Sequence, residues 1–415
     1  MARKMKDSGI EWIGEIPEGW KLTKVKRIFD IGRGRVISQQ ELEPTGYPVY
    51  SSQTKNNGCL GYISTYDFDR SQLTWTTDGI NAGTVFLREG KHNCTNVCGT
   101  LAPKNDANDL RYLKYALEYI AFYHKRADIN GFKIMNNEMA EIELLLPPLF
   151  EQQNIANYLD FKCSQIQSIL EQSLSSIEEY KKLKQAVITQ AVTKGVRGER
   201  EMKDSGVEWI GVIPKDWEIK RLKSFCTIVD CKNRTPDVFP DGKYTVVRTT
   251  CIKDCSFSYE GSYQTDTTNF KAWTLKGQPH KGDIFFTREA PVGEACLVPN
   301  ADNLCMGQRV MFFRPEDSSD ARYIMYSIYG PLVREYIASK NSGSTVGHLK
   351  LGQVACIPIF YCPPLEQKEI ADYLDAKCAE IDKLIAKKEQ LVKELENYKK
   401  SLIFEYVTGK KELRR

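Results

Sequence analysis

Four histidines and six tryptophans are all that 415 residues contain of these types. Zinc centres draw on histidine and cysteine at set spacings, and His92 beside Cys94 and Cys98 finds no second half. Cys251 and Cys255 stand likewise alone. Acid and base nearly balance: Lys and Arg number 58 against 54 Asp and Glu, a net charge of +4. That excess is too small to suggest a nucleic-acid partner by itself. No stretch approaches the ~20 apolar residues of a membrane span. The basic start, Met1 to Lys6, leads into no apolar core, so neither a membrane nor a signal peptide is expected. The thirteen cysteines, an odd number, then read as reduced thiols in a cytoplasmic protein.

Catalytic signatures are missing too. There is no Gly-x-x-x-x-Gly-Lys-Ser/Thr loop and no Gly-x-Gly-x-x-Gly after a strand. No Asn-Pro-Pro-Tyr or Asp-Pro-Pro-Tyr occurs, and no Ser/His/Asp set is suggested by spacing. Pro236-Asp237 with Asp241-Gly242-Lys243 superficially matches a nuclease pattern. Its spacing is too short to put the carboxylates on paired strands, and a turn into the next strand accounts for it. The chain reads as a non-enzyme, without a metal of its own.

What is present is a repeat. Residues 5–20, Met-Lys-Asp-Ser-Gly-Ile-Glu-Trp-Ile-Gly-Glu-Ile-Pro-Glu-Gly-Trp, return at 202–217 with changes only at Val207, Val212, Lys215 and Asp216. A polar helix recurs as well, at about 151–193 and 366–408. Both copies carry Glu-Gln, then Ile-Ala-x-Tyr-Leu-Asp-x-Lys-Cys, which pairs Glu151 with Glu366 and Asp160 with Asp375. Apolar positions alternate by three and four: Ile166, Leu170, Ile177, Tyr180, Leu183 and Val187 in the first copy, and Ile381, Ile385, Val392, Leu395, Tyr398 and Leu402 in the second. This is a heptad seam, with Ser173 and Lys388 at matching polar positions. An amphipathic helix of this length needs a partner, and the simplest is the other copy. The tryptophans of the repeated 16-residue motif, Trp12, Trp20, Trp209 and Trp217, are expected to pack on their own domains.

The chain is therefore two tandem units, each an entry motif, a variable middle and a helix, related as a pseudo-twofold pair. The middles share an outline but little sequence. Short strands are expected at 47–51, 61–64, 72–76, 83–87, 98–102 and 142–146, with a helix at 110–123. In the second middle, strands fall at 244–248, 283–287, 294–298, 310–314 and 355–360, with a helix at 321–338. Expected boundaries are 1–148, 149–197, 198–362 and 363–415. A frame is kept while two surfaces diverge on it.

The polar loops of those middles carry groups suited to base edges and phosphates. In the first they are Arg33, Arg35, Gln53, Thr54, Lys55, Asn56, Asn57 and Lys133. In the second they are Lys232, Arg234, Arg248, Thr249, Arg288, Arg309, Ser344, Thr345, His348 and Lys350. The competing reading is a coiled-coil assembly scaffold whose globular domains bind proteins.

Several pieces together resemble the DNA specificity subunit of type I restriction–modification enzymes. They are the Pro-Pro-Leu lead-in with Glu-Gln and Ile-Ala-x-Tyr-Leu-Asp, and Asp-Ser-Gly-x-Glu-Trp-Ile-Gly at 7–14 and 204–211. Thr287 to Gly293, Met306 to Arg309, and Gly343 to Val346 with His348-Leu349 complete them. The resemblance covers the whole chain. It implies an α+β fold: two globular mixed α/β target-recognition domains separated by two long antiparallel coiled-coil helices. It implies that each domain reads one half of a split site in double-stranded DNA. Partners would be two methyltransferase subunits and motor-nuclease subunits, which would hold S-adenosylmethionine, ATP and magnesium.

Overall fold

The computed structural model describes residues 3–129, 131–341 and 347–413. The chain folds into two compact units, Met1–Leu174 with Gln390–Arg415, and Ser175–Glu389. Each contains one entry motif, one middle, the first half of one long helix and the second half of the other. These helices run Leu149–Lys194 and Pro364–Val407.

In the first unit an antiparallel sheet has the order Val85–Arg88, Gln72–Thr76, Cys98–Pro103, Phe29–Arg33. A second sheet sets Lys91–Cys94 parallel to Tyr47–Tyr50. The second unit repeats this plan. Its sheet reads Val292–Leu297, Ile284–Arg288, Val310–Pro315, Cys226–Val229, and Tyr244–Val247 runs parallel to Leu304–Met306. Trp20, Leu73, Trp75 and Tyr112 lie in the first core; Trp217, Phe286, Phe313 and Tyr323 lie in the second.

Each helix start is bolted to its middle by the same side chains. In the first unit Gln152 accepts from the Asp109 amide and donates to the Pro147 carbonyl, while Tyr115 and Arg111 reach Asp160. Gln367, Asp320, Cys362, Tyr326, Arg322 and Asp375 repeat those contacts in the second. The entry motifs are clamped likewise: Arg3 and Trp20 meet Glu151, and Arg200 meets Glu366. At the far helix ends the chain reads Lys194-Gly195 in one copy and Gly409-Lys410 in the other. The shift by one place is absorbed by the long stem, since Lys410 donates to the Glu15 carbonyl and Lys194 to that of Val212, the equivalent residue.

The seam follows the heptad except at one pair of positions. Within the first unit Tyr158 packs on Tyr406 at 4.7 Å and Lys399 donates to Gln167 at 3.4 Å, so the segments are antiparallel. Leu183 and Tyr398, expected in the seam, are instead exposed, at 49% and 53%. Their neighbours Lys184 and Lys399 turn inward. Lys184 pairs with Asp382 at 2.7 Å, and Lys399 meets Gln167, the residue equivalent to Asp382. A lysine stem can line an apolar seam while its amine finds a polar partner, so counting only apolar side chains put the stripe one residue off. Ile166, Leu170, Ile177, Ile381 and Leu402 are buried, and Tyr180, Val187, Ile385, Val392 and Leu395 half-buried.

Two further expectations are corrected. The helix at 321–338 is two, Ala321–Ile328 and Pro331–Asn341, because Pro331 has no N–H and favours a helix start. Of the four tryptophans in the entry motifs, Trp20 and Trp217 are buried and Trp12, though 39% exposed, stacks on Tyr123 of its own unit at 5.1 Å, whereas Trp209 is 62% exposed.

Candidate nucleic-acid interface

The two parallel strands of each unit end at the same edge as the middle strand of the neighbouring sheet, and the candidate residues gather there. In the first unit the chain leaves Tyr47–Tyr50 into a polar turn closed by the Ser51 amide on the Gly58 carbonyl, 3.0 Å. Thr54, Lys55, Asn56 and Asn57 are its exposed crest. Asn56 and Asn57 both have positive φ, 50° and 52°, a region asparagine tolerates better than most residues. The Gln53 amide donates to the Cys59 carbonyl and ties the turn's base. The Arg35 amide is held by the Cys94 carbonyl, which brings Arg33 and Arg35 to the same edge.

In the second unit the equivalent edge carries Arg248 and Thr249 after Tyr244–Val247, Gln308 and Arg309 after Leu304–Met306, and Arg288 at the end of Ile284–Arg288. The loop after Cys226–Val229 is anchored there by Gln308 Nε2 on the Asn233 carbonyl, 3.1 Å. Trp273 Nε1 holds the Arg234 carbonyl, and the Lys232 and Arg234 cations lie over its ring at 4.7 and 5.2 Å.

A basic side chain meets a carboxylate at the same place in both units. Lys133 meets Asp78 at 3.1 Å, and His348 Nδ1 meets Glu289 at 3.3 Å. The backbone agrees: the Ile134 amide bonds the Thr77 carbonyl, and the Leu349 amide bonds that of Arg288. The Lys133 pKa is raised by its bond to Asp78. Burial pushes the Asp78 carboxyl up, but bonds from Thr77 and Lys133 outweigh it and leave it below the ordinary range.

The candidate cations thus fall into two groups. Arg35 is committed to Glu41 and Asp67, which raises its pKa; Lys133 is committed to Asp78 and Asp128, and Arg309 lies 3.3 Å from Glu289. Arg33, Lys55, Lys232, Arg234, Arg248 and Lys350 are free of ion pairs among the described residues. Arg288 is not an outward group. It is 9% exposed and grips Asp230 and the Asn233 side chain from inside, at 3.2 and 3.1 Å. Its place is beneath the loop that carries Lys232 and Arg234. Ser344 and Thr345 lie outside the described residues.

Sequence reasoning missed Arg88. It is 1% exposed, yet no carboxylate pairs with it among the described residues. Nothing in Val85–Arg88 distinguishes it from an exposed strand end. Asp237 and Asp241 lie in a turn fixed by Tyr263 on the Pro236 carbonyl and Thr265 on that of Asp237. No three His, Cys, Asp or Glu among the described residues could together hold a metal, and all thirteen cysteines are free. No described helix is long and apolar enough to cross a membrane.

The model of the type I restriction modification DNA specificity domain matches twice, at residues 17–179 and 214–396. The chain belongs to this family. A putative type I specificity subunit N-terminus from Mycoplasma pneumoniae is 45% identical over 144 residues, 34% of this chain and 76% of that protein. Another putative specificity subunit of that organism is 41% identical over 140 residues, and the match spans only 38% of its length. A putative type I restriction enzyme specificity subunit from Methanocaldococcus jannaschii is 25% identical over 96% of this chain and 95% of its own length. A chain solved in work on assembly and conformational transition of the type I R-M system shares the fold, with TM-score 0.65, 14% identity and coverage of 94% and 98%. A specificity subunit is the DNA-recognition component and not a catalytic one, which sets aside the protein-binding scaffold.

Proposed function

We propose that each middle reads one half of a bipartite double-stranded DNA target, and that the paired helices set the unread gap and dock two methyltransferase subunits. Motor-nuclease subunits would join these to restrict. S-adenosylmethionine, ATP and magnesium would belong to the partners, and the base to be methylated would leave the stack for a partner's pocket.

One observation carries the reading. The two units place chemically different side chains at the same strand ends, on a frame whose Gln, Asp, Arg and Tyr clamps recur at equivalent positions. A common frame suits identical partners; unlike edges suit unlike half-sites. Six candidate cations free of ion pairs among the described residues are a modest phosphate footprint, consistent with binding that gains strength from partners.

The test lengthens the helices. Seven residues inserted after Ser173 and seven after Lys388 preserve the heptad and add roughly 10 Å, about three base pairs of DNA. Methylation mapping of the reconstituted complex is expected to show both half-sites unchanged and the gap longer. An unchanged gap would remove the spacer role, and methylation without sequence preference would remove the whole reading.

A further inference from the structure

A buried guanidinium normally has a carboxylate, because an unpaired charge is costly inside a protein. Arg88 has none among the described residues. Its cation sits 3.5 Å from the centre of the Tyr50 ring and 4.3 Å from that of Phe86. Nε donates to Thr74 at 3.1 Å, and Nη1 donates to the Asn57 carbonyl at 2.7 Å. Nη2 is buried without a partner. Burial lowers the Arg88 pKa.

All of this lies under the polar turn. Asn56, Asn57 and Gly58 have φ of 50°, 52° and 78°; glycine adopts this region freely, but two left-handed L-residues in succession are strained. A Cβ on Gly58 would stand 2.8 Å from Arg88 Nη2, so the guanidinium lies directly beneath the turn. A strained turn persists only where its surroundings hold it. Ser51 and Gln53 close this one at its base, Arg88 holds the Asn57 carbonyl near its crest, and the product is two exposed side-chain amides.

We propose that Arg88 is a positioning residue for base reading: it props the left-handed turn so that Asn56 and Asn57 present their amides to an adenine edge in the half-site read by the first unit. An amide can donate to N7 and accept from N6 together, a pairing that discriminates adenine from the other bases. The inference rests on the bipartite reading proposed above.

The experiment maps methylated sites from a random-sequence DNA pool, using the complete complex with its methyltransferase subunits. Arg88→Met is expected to lose roughly tenfold in preference at an adenine position of one half-site, with the other half-site and the gap intact. Arg88→Lys, which keeps one donor, is expected to recover part of that preference. Asn56→Gly/Asn57→Gly removes both exposed amides while leaving the left-handed backbone allowed, and is expected to lose the same position, so folding of the Arg88 variants does not decide the outcome. If the double variant keeps the wild-type motif, the proposal is overturned whatever Arg88→Met does. It is overturned too if Arg88→Met folds and reads like wild type, or if its loss is spread over both half-sites. A wild-type complex with no two-part motif instead removes the function on which the inference stands.

Discussion

At about pH 10.5 the unit spanning residues 175–389 is expected to unfold, and its thiols to ionise in the same step. Burial pushes Cys226, Cys296, Cys305 and Cys362 up to about 12, and Cys378 to about 11, from an ordinary 9.0. The folded thiol stays neutral while the unfolded thiol ionises from pH 9 upward. The unfolded state therefore releases its protons first. Stability is complete below about pH 9 and falls as pH rises toward 12. Each of the first four thiols costs ~2 kcal/mol at about pH 10.5, so together they approach the whole stability of a domain. Alkaline titration followed by thiolate absorbance and far-ultraviolet circular dichroism checks this. The two signals should move together. Thiolate absorbance rising near pH 9 with the dichroism unchanged would contradict the burial argument. Replacing Cys305 with Ala should shift the transition to higher pH.

How much of this fold could be read beforehand depended on how local its cause was. Gln72–Thr76 was placed residue for residue, because an apolar run between turn residues needs no distant information. The break at Pro331 is also local, but the apolar period continues through it and masks it. The seam was legible as a heptad but slipped at Leu183 and Tyr398. A lysine scores as polar in such a pattern, although its stem is as apolar as its neighbours. Only the antiparallel placement of Lys184 against Asp382 and of Lys399 against Gln167 reveals which side chain turns inward.

The interface was less legible. Its residues are recognisable loop by loop, but their convergence depends on Lys91–Cys94 lying parallel to Tyr47–Tyr50 and Leu304–Met306 parallel to Tyr244–Val247. Such pairings link segments far apart in sequence and leave no local mark. Neither does burial of a single arginine. Arg288, a candidate base-edge group by sequence, lies beneath its loop; Arg88, at an ordinary strand end, bonds the Asn57 carbonyl of the other. The shared acid–base pair, Lys133 with Asp78 and His348 with Glu289, joins residues of different kinds at unrelated spacings, so it emerges only once both units are folded.

The frame offers the second large effect, and there the two copies make opposite cases. Glu366 is fully buried and faces Arg200 and Arg197. Glu366→Gln removes the carboxylate and leaves a mostly buried guanidinium with an amide. Breaking such a pair typically costs 3–5 kcal/mol. The lower end, about 3 kcal/mol, is expected because Asp216 still meets Arg200 at 2.6 Å. Glu151 fills the same position in the first unit, but its side chain and that of Arg3 are 27% and 26% exposed. Solvent screens that pair, and the glutamine oxygen can still accept from Trp20 Nε1, so Glu151→Gln should cost about 1 kcal/mol. Hydrogen exchange on the full chain, followed by peptide in each unit, separates the two effects. Glu366→Gln is expected to speed exchange across residues 201–229 and 357–378 while leaving the first unit near its wild-type rate, and Glu151→Gln to accelerate its own unit far less. Equal losses would mean that the clamp draws its strength from hydrogen bonds the amide preserves, and that burial of the charge adds nothing.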